Sequence, residues 1–281
     1  MEDRTPPGAR RLPRQAERQR AISEMVMAEG AVRIEQLAER FGISLMTVHR
    51  DLDELESRGL LHKSRGVASA LSSSLVESSD VYRAGQQLSE KRSLAHAAMG
   101  FVEPGQSIFL DDSTTVLQMA PLLPSKAPLT IITNVLTLMN ELHGVRGISL
   151  IGLGGNYYNW CNAFMGHVTN EAIRRLRADV AIMSTAAIID DTCFHQTPET
   201  TDTKRAMFES SARRILLADH TKFQKRALHA IAHLTEYDVV IVGAQTREED
   251  ITRLQSQGIH VTVASAPHHQ ASTHDGRKEG A

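Results

Sequence analysis

The stretch IEQLAERFGISLMTVHRDLDELESRGLLHKSRG, residues 34–66, decides the fold of the N-terminal part of this chain. Apolar residues recur at helical spacing on both sides of Gly42, and glycine readily adopts the left-handed conformation that ends a helix. Ser44 is placed to cap a second helix, and the small Ala38 allows the two helices to cross closely. With a further apolar helical face around Ile22, the pattern predicts a helix-turn-helix within a three-helix domain.

The helix that follows Ser44 presents two chemically different faces. Four apolar residues at i, i+3, i+7 and i+10 form a stripe that we expect to face the core. They are Leu45, Val48, Leu52 and Leu55. The opposite face carries Met46, Thr47, His49, Arg50 and Asp53. After this helix, residues 60–66 read as a short β-ribbon with the cations Lys63 and Arg65 near its tip.

This arrangement favours an interaction with DNA. An α-helix fits the major groove, and side chains near its N-terminus reach base edges, here Thr47, His49 and Arg50. Arg50 makes either a bidentate contact to guanine or a contact to a phosphate, and the sequence leaves both open. Lys63 and Arg65 on the ribbon suit phosphates. The alternative is a three-helix packing domain with solvated charges, but the turn, the cap and the ribbon together favour DNA.

Residues 18–66 resemble the winged helix-turn-helix of the DeoR family of bacterial transcription regulators. The most specific part runs from Ser44 to Leu61, close to the family pattern S-x-x-T-[IV]-R-R-D-L-x-x-L-E-x-x-G-x-[LI]. The sequence departs at His49, where the family usually has arginine, and at Arg65 and Gly66, where the family has His-Gly-Gly. The resemblance implies binding to double-stranded operator DNA. The expected contact residues are Ser44, Met46, Thr47, His49, Arg50, Lys63 and Arg65.

From about Ser89 onward, short apolar runs alternate with helical segments. Runs of four to six residues without polar alternation suit strands buried on both faces, and the intervening segments are long enough for crossover helices. The runs are residues 107–111, 129–133, 148–152, 180–184, 214–218, 239–243 and 260–264. This order predicts a doubly wound, mostly parallel α/β domain.

Polar residues and glycines follow four of these runs. In open α/β sheets, ligands bind at the carboxyl ends of strands, where helix N-termini and hydroxyls offer donors to an anion. These ends share one side of a parallel sheet, so we expect one pocket there. It would be lined by Asp111, Thr114, Thr115, Asn134, Gly155 and Lys222. The glycine allows the backbone to approach a phosphate, and the lysine neutralises its charge.

The same segments resemble the C-terminal sensor domain of the DeoR family, which is similar in fold to ribose-5-phosphate isomerase and binds phosphorylated sugars. The matches are D-x-G-T-T at 111–115, T-N at 133–134, G-G at 154–155, K-R-A-M at 204–207 and D-x-[ST]-K-F at 219–223. Ser113 stands where the family has glycine, so either its Cβ crowds a phosphate or its hydroxyl binds one. The effector-binding residues implied are Asp111, Ser113, Thr114, Thr115, Asn134, Gly154, Gly155, Lys204 and Lys222.

The composition is that of a folded globular chain with a sizeable core. The 281 residues are 41% hydrophobic with a net charge of −2, which excludes a polycationic, histone-like protein. We find no membrane-length apolar run, no secretory signal and only two cysteines, and therefore expect a cytoplasmic protein. No CxxC or HExxH spacing occurs, so we expect neither a metal nor a cofactor.

The expected organisation has two domains. It consists of a disordered arm at 1–17, a winged helix-turn-helix domain at 18–68, a linker at 69–88, an α/β effector-binding domain at 89–265 and a disordered tail at 266–281. One recognition helix reads too few base pairs for genomic specificity, so we expect a homo-oligomer that binds paired half-sites.

Together these features predict a transcription regulator that represses a sugar-metabolism operon and is controlled by a phosphorylated sugar. The repressor sense comes from the family resemblance alone. The alternative is a sugar-phosphate isomerase with an appended helix-turn-helix. Residues 184–189 disfavour it, because they lack the acidic Asp-Gly-Ala-Asp-Glu sequence that the isomerases carry after the fourth strand. We therefore expect no catalytic residue and no enzyme activity.

Overall fold

The computed structural model describes residues 14–29, 31–57, 60–70 and 80–265. The N-terminal domain consists of α1 Arg14–Glu29, β1 Ala31–Arg33, α2 Ile34–Phe41, α3 Leu45–Ser57, β2 Leu61–Ser64 and β3 Val67–Ala70. Its three strands form an antiparallel sheet in the order β1-β3-β2. Helix α1 begins inside the expected disordered arm, so residues 14–17 are helical, whereas 1–13 lie outside the described residues.

The predicted helix-turn-helix is confirmed, and its turn has the geometry that the sequence requires. Gly42 has a φ of 61°, and its N–H donates to the carbonyls of Ala38 and Glu39 at the end of α2. The N–H of Thr47 donates to Oγ of Ser44 over 3.2 Å, which caps α3. Helices α2 and α3 are thereby joined by a tight turn with both of its ends capped.

The apolar stripe of α3 faces the core with one exception. Val48, Leu52 and Leu55 are fully buried and belong to the hydrophobic cluster of this domain. Leu45 is 48% exposed, so the prediction that it belongs to the stripe is wrong. Leu45 is the first residue of α3, where the helix begins in solvent beside the exposed Ser44.

The predicted ribbon is confirmed as a hairpin with a two-residue turn. Ser64 pairs with Val67, and the intervening Arg65 and Gly66 have φ values of 46° and 79°. Positive φ at both central residues is the type I′ geometry, which matches the twist of a hairpin. Glycine adopts it without steric cost, and Arg65 stands exposed at the tip.

The stretch 69–88, expected as a linker, contains regular structure. Strand β3 continues to Ala70, a short helix α4 spans Asp80–Gly85, and helix α5 spans Leu88–Ala98. Residues 71–79 lie outside the part of the chain that the structure describes. Helix α4 therefore stands between the connecting segment and the second domain. The expected tail, 266–281, also lies outside the described residues.

The second domain is built on seven strands that coincide with the predicted apolar runs. They are β4 Ser107–Leu110, β5 Leu129–Thr133, β6 Ile148–Gly152, β9 Ala178–Ser184, β12 Ser211–Ala218, β14 Val239–Gly243 and β15 Val261–Ala264. Every pairing between them is parallel, in the order β15-β14-β12-β9-β4-β5-β6. The predicted parallel sheet is confirmed.

Helices cover both faces of this sheet. Helix α5 and α6 Leu136–Leu142 cover one face; α7 His167–Arg174, α8 Pro198–Glu209 and α9 Glu248–Ser256 cover the other. Strand β4 serves both cores, because Ile108 and Leu110 point into one cluster and Phe109 into the other. The doubly wound architecture is confirmed. None of the helices in the described ranges is long and apolar enough to cross a membrane.

Two smaller antiparallel sheets were not predicted. One has the strands β10 Ala187–Ile189, β11 Thr192–His195 and β13 His229–His233, and the other pairs β7 Asn156–Tyr158 with β8 Ala163–Met165. These strands have only three to five residues, and several of those residues are polar, so no apolar run marks them. The first of the two sheets brings His195 close to the end of β4.

Candidate functional site

The first candidate site is the exposed face of α3. Met46 is 79% exposed, and Ser44, His49 and Arg50 are exposed beside it. His49 and Arg50 form no hydrogen bond or ion pair with any described residue, so both side chains are available to a ligand. Oγ1 of Thr47 lies 2.9 Å from Oγ of Ser44, so this hydroxyl belongs to the helix cap. Of the five predicted residues in this region, Ser44 precedes α3, Met46, His49 and Arg50 are exposed on its first turns, and Thr47 is half-buried.

The two predicted cations of the ribbon differ in their surroundings. The ammonium of Lys63 forms an ion pair with the carboxylate of Asp53 on α3. Arg65, at the exposed tip, has no such partner among the residues described. The guanidinium of Arg65 is therefore unpaired within the described residues, whereas the ammonium of Lys63 is held by Asp53.

Asp51 is a buried carboxylate that the sequence analysis missed. It accepts hydrogen bonds from Nε of Arg18 at 2.6 Å, from Nη2 of Arg18 at 3.1 Å and from Nε2 of Gln19 at 3.2 Å. Hydrogen bonding to Asp51 raises the pKa of Arg18 further above its ordinary value. The cluster ties α1 to α3. Its sequence signal is an acid three residues after Val48 and four before Leu55, on the apolar stripe.

The second candidate site lies at the carboxyl end of β4, where two adjacent aspartates meet one lysine. Nζ of Lys204, on α8, lies 2.5 Å from Oδ2 of Asp111 and 2.8 Å from Oδ1 of Asp112. All three side chains are almost completely buried. The N–H of Ser184, at the end of β9, also donates to Oδ2 of Asp111 over 3.0 Å. The sheet end therefore holds a compact cluster of buried charges.

The charges in this cluster hold one another ionised. Burial alone raises the pKa of Asp112, but Lys204 and Arg83 outweigh it and hold that pKa below its usual range. Burial alone lowers the pKa of Lys204, but Asp111 and Asp112 raise it above its ordinary value. Burial lowers the pKa of His195 well below its ordinary value, so its imidazole is neutral. A carboxylate–ammonium–carboxylate arrangement results, with a neutral histidine beside it.

Ser113, the residue that replaces the glycine of the family pattern, uses its hydroxyl inside the loop. Its Oγ donates to Oδ1 of Asp111 over 2.6 Å, and it accepts the N–H of Val116 at 3.3 Å. The backbone N–H of Ser113 also donates to Asp111 over 3.0 Å. Of the two alternatives for Ser113, crowding a phosphate and binding one, the second requires this hydroxyl to leave Asp111.

A cluster of cations, missed by the sequence analysis except for Lys222, lies next to the aspartates. Nζ of Lys91, on α5, donates to Oγ1 of Thr114 over 3.0 Å and to the carbonyl oxygen of Arg83 on α4. Nη2 of Arg83 lies 3.9 Å from Oδ2 of Asp112. Burial, and then the positive charge of Lys222, lowers the pKa of Lys91 to about 7. In the sequence, Lys91 stands on the apolar side of α5, four residues before Ala95.

The predicted residues on β5 and β6 have mainly structural contacts. Nδ2 of Asn134 donates to the carbonyl of Phe164 over 2.8 Å, while its buried Oδ1 has no hydrogen-bond partner among the described residues. A Cβ on Gly155 would lie 2.0 Å from Oγ1 of Thr169, which donates to the carbonyl of Gly154 over 2.8 Å. Close packing against Thr169 therefore requires glycine at 155, with or without a phosphate.

The structure thus brings the predicted effector residues together to different degrees. Asp111 contacts both Ser113 and Lys204, and Thr114 accepts a hydrogen bond from Lys91. Nζ of Lys222 lies 3.7 Å from Oδ2 of Asp219. The remaining predicted residues, Thr115, Asn134, Gly154 and Gly155, stand at or after the ends of β4, β5 and β6, on the same edge of the sheet.

One group of side chains near this edge has the donor types of a metal site. Glu90, Asp219 and His220 offer ligand atoms within 4.8 Å of one another. Each already has protein partners: Oε2 of Glu90 lies 2.7 Å from Nδ1 of His220, and Asp219 accepts the N–H of Thr221 at 3.1 Å. These contacts tie α5 to the loop after β12 and account for the group without an ion.

Comparison with known proteins agrees with this two-part architecture. The family model of the DeoR-like helix-turn-helix domain matches residues 18–74, and that of the DeoR C-terminal sensor domain matches residues 86–244. The second match alone spans more than half of the chain.

Named relatives cover nearly the whole chain. The transcriptional repressor AccR of Agrobacterium fabrum is 33% identical over 82% of this chain and 90% of its own length. The glycerol-3-phosphate regulon repressor of Escherichia coli is 31% identical over 82% of this chain and 92% of its own length. Among solved structures, ribose 5-phosphate isomerase A from Methanocaldococcus jannaschii overlaps 47% of this chain and 53% of its own, with 15% identity and a TM-score of 0.35. By its two domain matches and its relatives, the chain belongs to the DeoR family of transcriptional regulators.

Proposed function

We propose that this protein represses a sugar-metabolism operon by binding its operator through α3 and the ribbon, and that a phosphorylated sugar at the end of β4 controls this binding. The observation that carries the effector half is the buried group of cations beside strand-end hydroxyls. The relative from E. coli is named for glycerol 3-phosphate, a phosphorylated polyol, which supports the same ligand class.

The DNA half of the proposal rests on the exposed face of α3 and on the ribbon tip. Arg50 and His49 are exposed without partners among the described residues, as base-reading side chains must be. Arg65 supplies a phosphate contact, and Lys63 does so after leaving Asp53. Ser44, Met46 and Thr47 complete the proposed contact face. Such a repressor works in the cytoplasm, where operator DNA lies.

The phosphate is proposed to bind near Lys91 and Lys222. The charges that act on Lys91 are mostly positive. Lys222, Arg83 and Lys225 lower its pKa, and the carboxylate of Asp219 raises it. Arg83 lies beside Asp112 and Lys222 beside Asp219, and a phosphate dianion next to Lys91 would favour the charged form of that lysine. The hydroxyl of Thr114, already bonded to Lys91, is within reach of the same anion. Lys222, Thr114 and Thr115 are thus assigned to the phosphate.

The sugar hydroxyls are proposed to bind to buried polar atoms that lack a hydrogen-bond partner in the described part of the chain. Three such buried atoms are Oδ2 of Asp112, Oδ1 of Asn134 and Nδ1 of His195, none of which has a hydrogen-bond partner among the described residues. Buried polar atoms are nearly always hydrogen-bonded, so such a group of atoms indicates a ligand rich in hydroxyls. Asp111, Ser113 and Lys204 hold the loop that presents Asp112, and Gly154 and Gly155 flank the far side.

Binding without turnover follows from the state of the two carboxylates. Asp111 and Asp112 are both held by Lys204, so their charges are already compensated by a buried ammonium. Lys204 and Arg83 hold the pKa of Asp112 below its usual range, which makes this carboxylate a weak general base. We therefore propose a sensor and not an isomerase. Bound ribose 5-phosphate, followed by NMR, should remain ribose 5-phosphate, and steady conversion to ribulose 5-phosphate would contradict the proposal.

The decisive test measures operator binding against a panel of ligands. Operator DNA is first selected from genomic fragments with the full-length protein, and its affinity is then measured with ribose 5-phosphate, glycerol 3-phosphate, ribose and inorganic phosphate. We expect at least one phosphorylated ligand to change the DNA affinity, and unphosphorylated ribose to leave it unchanged. Equal effects of ribose and ribose 5-phosphate would contradict the phosphate site. If the protein selects no DNA fragment, the proposal that it is a transcription regulator would be contradicted.

The protein is proposed to act as a homo-oligomer. A single recognition helix contacts one half-site, and paired half-sites supply the specificity that a genome demands. Sedimentation at micromolar concentration, with and without operator DNA, measures this directly. A monomer under both conditions would contradict the proposal.

A further inference from the structure

Helix α4, Asp80–Gly85, connects two parts of the molecule that the proposed function requires to communicate. It follows residues 71–79, the segment that leads from the DNA-binding domain. Its residue Arg83 reaches the effector site at two points. Nη2 of Arg83 lies 3.9 Å from Oδ2 of Asp112, and the carbonyl oxygen of Arg83 accepts a hydrogen bond from Nζ of Lys91.

The contact between Arg83 and Asp112 is loose compared with its neighbour. Asp112 lies 2.8 Å from the ammonium of Lys204 but 3.9 Å from the guanidinium of Arg83. Close guanidinium–carboxylate bonds are about 2.7–2.9 Å long and are often bidentate. Arg83 therefore sits at the edge of the aspartate pair, on the side of Lys91. A guanidinium there is well suited to bind two oxygens of a phosphate.

The residues of the effector site are shielded from solvent. Asp111, Asp112, Ser113 and Thr114 are all at most 7% exposed, so a ligand enters only if a neighbouring element moves. Strand β4 and helix α8 are fixed by the sheet and by the cores on its two faces. Helix α4 contributes the half-buried Arg83, whose guanidinium meets Asp112 over 3.9 Å, longer than a hydrogen bond, so we expect α4 to be the element that moves.

We infer that Arg83 is an effector-contacting residue supplied by the interdomain connection, and that it exchanges Asp112 for the phosphate of the ligand. This exchange moves α4, which stands between the DNA-binding domain and the effector domain in the chain. The inference rests on the proposed function, since it assigns the regulation of the same site. A ligand shifts a conformational equilibrium only through unequal affinity for its two states, and the Arg83–phosphate contact supplies that inequality.

The test compares Arg83→Gln and Arg83→Lys with the matched control Arg92→Gln. Arg92 is an exposed arginine on α5 that makes no hydrogen bond or ion pair with a described residue. Each full-length protein is titrated calorimetrically with ribose 5-phosphate, glycerol 3-phosphate and inorganic phosphate. Operator affinity is then measured with and without saturating ligand.

We expect Arg83→Gln to bind the phosphorylated ligand at least tenfold more weakly and to show the same operator affinity with and without saturating ligand. Arg83→Lys should retain part of the binding but little of the response, because an ammonium does not hold two phosphate oxygens in a fixed geometry. Arg92→Gln should match the wild type in both measurements. Unfolding temperatures should stay within a few degrees of the wild type, since Arg83 lies outside the core clusters.

Two results would overturn the inference while leaving the proposed function intact. The first is that Arg83→Gln binds the ligand with wild-type affinity. The second is that Arg83→Gln binds the ligand more weakly but, at saturation, still shows the full change in operator affinity. In that case Arg83 would contact the ligand without coupling its binding to DNA affinity. A wild-type protein that binds none of the three ligands would overturn the proposed function itself.

Hydrogen exchange of the peptide containing α4 gives an independent readout. Ligand should change its exchange rate in the wild type and in Arg92→Gln, but not in Arg83→Gln. Equal change in all three proteins would also overturn the inference.

Discussion

The carboxylate of Glu90 occupies the space beside the Cα of Gly243 at the end of β14. A Cβ on Gly243 would lie 1.5 Å from Oε1 of Glu90 and 2.3 Å from its Cδ. Glu90 is buried, and it accepts the backbone N–H of His220 at 3.1 Å while its other oxygen lies 2.7 Å from Nδ1 of the same residue. The carboxylate therefore cannot move aside without losing both contacts, and position 243 requires glycine.

The first prediction is that Gly243→Ala destabilises the second domain by about 1–3 kcal/mol, the usual cost of overpacking. Urea unfolding measures it, with Gly100→Ala as the control, since a Cβ there meets nothing within 4 Å. The double variant Gly243→Ala with Glu90→Ala should be less destabilised than the sum of the single changes. Simple additivity would mean that Glu90 is not the cause.

The second prediction concerns the ammonium between the two aspartates. Lys204→Met leaves two buried carboxylates without their counter-ion, which should lower the free energy of unfolding by about 3–5 kcal/mol. The adjacent Arg205→Gln removes half-exposed ion pairs with Glu209 and Glu236 and a hydrogen bond to the carbonyl of Ile231, and should cost about 1–2 kcal/mol. Chemical denaturation of both variants checks this, and similar losses would contradict a special role for Lys204.

The third prediction is a pH dependence that comes from Lys91. Its pKa is about 7 in the folded chain and about 10.4 when unfolded, so the unfolded state binds more protons between these values. The free energy of unfolding of the wild type should therefore rise from about pH 7 to pH 10 relative to Lys91→Met, by up to roughly 1.4 kcal/mol per unit. Below pH 7 the difference between the two proteins should be constant. Parallel curves across the whole range would contradict the lowered pKa.

Anion binding should depend on the same proton in the opposite sense. A phosphate favours the charged form of Lys91, so its affinity should fall as the pH rises above about 7. Calorimetry between pH 6.5 and about 9 with ribose 5-phosphate measures this, and Lys91→Arg, which keeps its charge, should flatten the profile.

The fourth prediction concerns the exposed face of α3. Arg50→Ala should cost about 1–3 kcal/mol of specific operator binding if the guanidinium reads a guanine, and the loss should depend on that base pair. If it holds a phosphate, the loss is uniform across sequences and the salt dependence becomes shallower. Arg40→Ala, on α2 and paired with Glu29, is the control that should bind normally. Unchanged affinity in folded Arg50→Ala would remove this residue from the site.

The fifth prediction is that Asp51→Ala lowers the free energy of unfolding of the N-terminal domain by about 3 kcal/mol, because Arg18 and Gln19 lose a buried acceptor. The variant should therefore unfold at a lower denaturant concentration. Asp53→Ala, two residues along, removes an exposed carboxylate that pairs with Lys63, and as the comparison it should cost at most about 1 kcal/mol. Equal stability of the two variants would show that the buried pair contributes nothing.

The regular parts of the fold could be predicted because their physical causes are local. A strand buried on both faces needs apolar residues at every position, as in Val239–Gly243, and a tight helix-turn-helix needs a residue such as Gly42 with positive φ. Both requirements concern residues that are adjacent in the sequence. The sequence therefore predicted the seven-stranded sheet and the turn, but not the short strands such as Thr192–His195, which depend on distant partners.

The candidate site was harder to predict because its missed residues are charges on apolar faces. Asp51, Arg83 and Lys91 look like interruptions of an amphipathic pattern until their partners are known. Those partners lie tens of residues away in the chain. Residues at strand ends, such as Asp111, were predictable because topology alone places them at one edge. The topology does not predict which charged side chains form ion pairs with one another.

The sheet order has a consequence for synthesis on the ribosome. Strand β4 pairs with β5, which follows it closely, and with β9, which lies some 70 residues later, as the contact of Ser107 with Asp179 illustrates. The contacts of the N-terminal domain, in contrast, lie within the first 70 residues, Arg14–Ala70. At about 5–20 residues per second, the ribosome needs roughly 10–40 seconds to proceed from Ala70 to the last strand of the sheet, Val261–Ala264. During that interval a nascent chain carries a finished DNA-binding module with no sensor to control it.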